Sequence, residues 1–123
     1  MSEALLTIHR FLGESLPTIA VITAVLALFA VDPKSTVTRV AWIVARILGV
    51  LLTIQWLVGV INYFSLPAAT RPSLAHPLLM TVVVAAYHPV SRRIQKLGGA
   101  PRLPLLALLA ATAILIWIAI GLA

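Results

Sequence analysis

The chain has no cysteine and only three acidic residues, Glu3, Glu14 and Asp32, in 123 residues. Without thiols there is no disulfide, no zinc–thiolate or iron–sulfur site and no covalent c-type haem attachment. Any cofactor must be held by His, Met, Tyr or backbone groups. Charge of either sign is scarce, at 10% of residues, where a soluble domain carries about a quarter. In its place stands a 62% hydrophobic composition with a mean hydropathy of +1.11. A chain this short cannot hide so much apolar surface in a core of its own. A water-soluble enzyme is excluded, and lipid is the expected solvent. No segment alternates with period two, which excludes a membrane barrel.

Long apolar runs are what the sequence has instead. Ser15 to Val31 and Ile47 to Thr70 carry no formal charge, Pro72 to Ser91 carries only two histidines, and Leu103 to Ala123 has only Thr112 as a polar residue. A membrane span needs roughly 20 apolar residues. These runs predict one four-helix transmembrane domain over residues 1–123, all-α, with helices at 4–31, 40–64, 73–94 and 103–122. Asp32-Pro33, Pro67 with Pro72, and Gly98-Gly99-Ala100-Pro101 supply the breaks. The first run lacks a clean basic n-region, since Glu3, Arg10 and Glu14 precede it, and it reads as a retained span.

The net charge of +6 is first a matter of topology. Lys34, Arg39, Arg46, Arg92, Arg93, Lys96 and Arg102 fall at the two loops of one side; only Arg10 and Arg71 fall on the other. Cytoplasmic loops collect Lys and Arg, so both termini are expected outside a bacterial or archaeal plasma membrane. The basic loops then need no nucleic acid as partner, and the Arg92-Arg93 loop is placed to meet anionic head groups.

Ionisable groups inside a membrane are costly and usually functional. With Ser2 as N-cap, His9 lies roughly 10 Å into the first helix; with Pro72 in the first turn, His76 lies roughly 7 Å into the third. The two helices run in the same direction, so both imidazoles reach similar depths from one face. Such a pair in a four-helix bundle can hold a haem iron. The plainer reading is two interfacial hydrogen-bonding histidines. His88, roughly 18 Å deeper than His76, has no partner near residue 21 and reads as an interfacial cap.

On the second helix Gln55, Gly59 and Asn62 share one face at the level of the histidine pair. Gly59, and Gly13 on the first helix, can let a flat macrocycle approach the backbone; small-residue helix packing explains both glycines nearly as well. Arg10 and Arg71 are the only cations on that side. Either can pair with haem propionates, or simply snorkel at a helix end.

These residues are similar to the motifs of the haem A synthase family. The chain reads His9-Arg10-Phe11-Leu12-Gly13, then Gln55-Trp56-Leu57-Val58-Gly59, then Leu74-Ala75-His76. Order and spacing resemble the family's His-Arg-x-x-Gly, Gln-x-x-x-Gly and second-histidine elements over helices one to three. The resemblance implies a four-helix unit whose histidine pair binds a b-type haem. One departure matters: the family's catalytic half has a Glu three residues before its His-Arg, and Leu6 stands there. The family's larger members also fuse two units, and this chain has one.

The sequence therefore points to one bis-His haem b per chain, bound by His9 and His76. Electron transfer, or a place in a larger respiratory or photosynthetic membrane complex, is the expected role. Partners would be lipid and either other membrane subunits or a second copy. With no carboxylate, cysteine or activated serine in the spans beyond Glu3 and Glu14, no catalytic residue is assigned. Two alternatives are a minimal dimeric oxygenase like haem A synthase and a haem-free structural subunit.

Overall fold

A computed structural model describes residues 3–122. It contains helices α1 (Glu3–Leu28), α2 (Thr36–Ser65), α3 (Ala75–Leu97) and α4 (Arg102–Leu122), with a short 3-10 turn at Ala68–Thr70 between α2 and α3. No strand occurs among the described residues. The protein is an all-α bundle.

Local hydrogen bonds explain where the helix ends depart from the sequence reading. α1 stops at Leu28 because the Phe29 and Ala30 amides turn to the Leu26 and Ala27 carbonyls, at 3.1 and 3.0 Å. This tighter winding unravels the helix ahead of Asp32-Pro33. α2 starts at Thr36, four residues earlier than expected. Ser35 is its N-cap and accepts the Thr38 amide at 3.2 Å, while the Thr38 hydroxyl donates to the Asp32 carbonyl at 2.6 Å. Arg39 consequently lies within the helix.

α3 starts at Ala75, whose amide donates to the Ser73 hydroxyl at 3.1 Å. Pro72 therefore precedes the helix, and His76 is its second residue rather than its fourth or fifth. At the other end Gly98 and Gly99, with φ of +67° and +70°, take the left-handed turn that closes α3. Ser2, the expected cap of α1, lies outside the described residues.

Each helix packs on two neighbours around a ring, α1–α2–α3–α4–α1, and among the described residues neither diagonal pair is in backbone contact. Neighbours are antiparallel. His9 meets Gly59, Tyr87 bonds to Ala45, and His76 bonds to Ala119. The start of α1 thus shares one end of the bundle with the end of α4. That end carries His9 and His76; the opposite end carries Lys34, Arg39, Arg92, Arg93 and Lys96.

Small residues close the α1–α2 seam toward the basic end. Ala20, Ala27, Ala30, Ala41 and Ala45 are fully buried, and side chains this short let backbones approach closely. Toward the histidine end the interior positions are larger and partly polar: Leu16, Gln55, Asn62 and Met80.

The outside of the bundle is apolar. Phe11, Leu78, Ile114 and Trp117 are each at least 60% exposed. Patches of this kind are not left to water. α1, α2 and α4 are long and apolar enough to cross a bilayer. The protein is an integral membrane protein. α3, with its histidines and a C-terminal turn rich in Arg, Gln and Lys, falls short of that composition.

Candidate functional site

At the histidine end the four helices surround a cavity of about 310 Å3, a size at the lower end of cofactor pockets. Every helix contributes: His9 and Gly13 from α1, Gln55 and Gly59 from α2, His76 and Met80 from α3, Ile116 and Ala119 from α4. Arg10 and Ile120, both exposed, stand at its rim. The walls are mostly apolar, and no Asp or Glu lines them among the described residues.

His9 and His76 come from the diagonal helices α1 and α3 and meet inside this cavity. Their ring centres are 6.2 Å apart, with planes at 84° to each other. That separation has a chemical meaning. A metal–imidazole bond is about 2.0–2.1 Å and the ligating nitrogen lies about 1.1 Å from its ring centre, so two rings on opposite sides of one metal have centres about 6.3 Å apart. The ring-centre distance matches that of a shared ion and also that of a direct edge-to-face ring contact.

Each ring is positioned by a different device. His76 Nδ1 lies 2.6 Å from the Ala119 carbonyl. A carbonyl only accepts, so Nδ1 carries the proton and Nε2 of the neutral ring keeps its lone pair. A metal-ligating histidine is typically oriented in this way. His9 is seated by shape. A Cβ on Gly59 would stand 2.7 Å from His9 Cε1, so only glycine leaves room for the ring there. Gln55 Nε2 donates to the His9 backbone carbonyl at 2.7 Å. This amide in turn needs Gly13, since a Cβ there would stand 2.9 Å from Gln55 Nε2.

The expectation that Gly13 and Gly59 admit a macrocycle to the backbone therefore takes another form. Their open faces are filled by the Gln55 amide and the His9 imidazole. The glycines act one step removed, by letting α2 hold α1 in place.

Two buried polar atoms in this site lack a hydrogen-bond partner, His9 Nδ1 and Gln55 Oε1. Buried polar atoms are nearly always satisfied, and a pair of exceptions in one cavity suits a ligand-binding site. No group of three or more His, Cys, Asp or Glu able to hold a metal occurs among the described residues. Two imidazoles alone make a poor site for a bare ion such as zinc, which takes three or four protein ligands. They suit an iron whose remaining positions a macrocycle fills.

The two outer arginines part company. Arg10 reaches the cavity rim. Arg71 does not line the cavity: its Nε donates to the Leu66 carbonyl at 3.0 Å and its Nη2 to the Phe64 carbonyl at 3.3 Å. The guanidinium lies 5.6 Å from the Tyr63 ring centre. It caps the C-terminus of α2, where orphan carbonyls and the helix dipole both favour a cation.

His88 sits far from the pair. Thr53 donates its hydroxyl proton to the Gly49 carbonyl at 3.0 Å, and its oxygen accepts from His88 Nε2 at 2.8 Å. His88 is an interhelical brace between α2 and α3, where the sequence reading placed a helix-end cap.

No family model, curated protein or solved structure matches the chain. The likeness to haem A synthases rests on the motif residues alone.

Proposed function

We propose that the chain binds one b-type haem between His9 and His76 and works in electron transfer, as part of a respiratory or photosynthetic membrane assembly. The observation that carries this reading is the 6.2 Å separation of two imidazoles on diagonal helices. When bound, such a haem supplies one-electron chemistry at its iron. The protein's own groups do the rest. His76, fixed through Ala119, and His9, seated on Gly59, would be the residues that hold it. Leu16, Met80 and Ile116 keep the interior dry, and Arg10 is the cation placed for a propionate. Among the described residues no Asp or Glu reaches the cavity wall, which favours electron transfer over oxygenation.

In this reading α3 also crosses the bilayer. It packs antiparallel between α2 and α4, and two spans running the same way need a return. Both termini then lie outside and the basic end inside, following the distribution of Lys and Arg. Because the chain has no cysteine, the topology is directly testable. Ser73→Cys should react with an impermeant maleimide on intact cells, and Ala100→Cys only after permeabilisation; the reverse pattern inverts the topology.

The decisive experiment for the haem is a reduced-minus-oxidised visible spectrum of the purified chain, expressed with full haem supply. A bis-His signature is expected. It should vanish in His9→Ala and in His76→Ala and persist in His88→Ala. Colourless wild-type protein would overturn the proposal, and loss only in His88→Ala would reassign the ligand.

A further inference from the structure

A second cavity, of about 250 Å3, lies at the basic end. Lys34 lines it from the loop before α2, Arg39, Trp42 and Arg46 from the first turns of α2, and Gln95 closes it from the end of α3. We infer that it is a binding site for the head-group phosphate of an anionic phospholipid. This inference does not depend on the haem reading.

The chemistry is that of a phosphate site. Three cations converge on one cavity. Asp32, the single acidic residue near this end, turns a carboxylate oxygen to the Lys34 amide at 2.9 Å. The Ser35 and Thr38 hydroxyls are likewise engaged, bonded to each other and to the Asp32 carbonyl. What remains to donate at the cavity is the ammonium, the two guanidinium groups, the Trp42 indole N–H and the Gln95 amide.

The position favours a lipid over a dissolved anion. Arg39 and Arg46 are seven residues apart, about 10 Å along the axis, which is comparable with a head-group layer of roughly 5–8 Å per leaflet. Between them lies Trp42, the residue type enriched at membrane interfaces. Exposed Ile47 and Val50 continue the same flank of α2 beyond Arg46 toward the bilayer core, where acyl chains would lie. A phosphate seated between Arg39 and Arg46 would lie level with Trp42 and Ile43, with its chains running past Arg46 onto Ile47 and Val50.

Native mass spectrometry of the detergent-purified chain in equimolar phosphatidylglycerol and phosphatidylcholine tests the inference. Phosphatidylglycerol adducts should dominate. Each cation removed should lower that enrichment about fivefold, so Arg39→Gln with Arg46→Gln should nearly abolish it while phosphatidylcholine adducts stay constant. Lys34→Gln, on the exposed loop before α2, reads the same site if the double variant does not survive purification. Unchanged enrichment in these variants would overturn the assignment. Displacement of the lipid by excess inorganic phosphate would assign the site to the free anion and overturn the lipid.

Discussion

Two places in this bundle use the same materials differently. At one, a histidine lies against Gly59 of α2; at the other, a histidine lies against Gly49, ten residues earlier on the same helix. A Cβ at Gly49 would come within 3.0 Å of Tyr87 and 3.1 Å of His88, much as one at Gly59 would meet His9. The difference is in the polar atoms. Around His88 the hydroxyl of Thr53 takes the ring nitrogen, and the Tyr87 hydroxyl donates to the Ala45 carbonyl at 2.7 Å. Around His9, two buried polar atoms have no partner and a cavity opens. A histidine tied through its ring to a neighbouring helix is a brace. A pair with ring nitrogens to spare, across a cavity, is equipment for a ligand.

That contrast can be broken by trading glycine for alanine at each place. Gly59→Ala pushes the His9 ring off its seat and should weaken haem binding about 10–100-fold, the usual effect of disturbing the support of a metal ligand; haem titration of the apoprotein measures it. Gly49→Ala should leave haem affinity unchanged and cost about 1–3 kcal/mol of stability through overpacking, seen as earlier thermal unfolding in detergent. If both variants lost haem equally, the two ends would not be functionally distinct. Tyr87→Phe is the mildest probe. It removes one buried hydrogen bond and should cost about 1 kcal/mol, again with an unaltered spectrum.

The helices were legible because charge punctuates a hydrophobic chain so plainly. Their ends were less so. Ser35 and Thr38 form a cap beside Lys34 and Arg39, and polar letters among charges read as loop until the hydroxyls are seen closing on the backbone. In the site, the pairing of His9 with His76 was accessible from depth along co-directional helices. The partner that fixes the His76 tautomer was not, because it is the main-chain carbonyl of Ala119, and a carbonyl has no letter of its own. Arg71 shows the converse limit. Its charge and position suit a propionate, yet the carbonyls of Phe64 and Leu66 are nearer and claim it.

The near-perpendicular imidazole planes carry a consequence for electron spin. Were these rings to hold a ferric haem with their 84° angle kept, each imidazole would donate π density into a different one of the two iron d-orbitals of π symmetry about the iron–nitrogen bonds. Those orbitals would stay close in energy, and a low-spin signal would be strongly anisotropic, with one large g value. Parallel rings would split the orbitals and give an ordinary rhombic spectrum. A paramagnetic resonance trace of the oxidised protein would therefore report the angle between α1's histidine and α3's without a crystal.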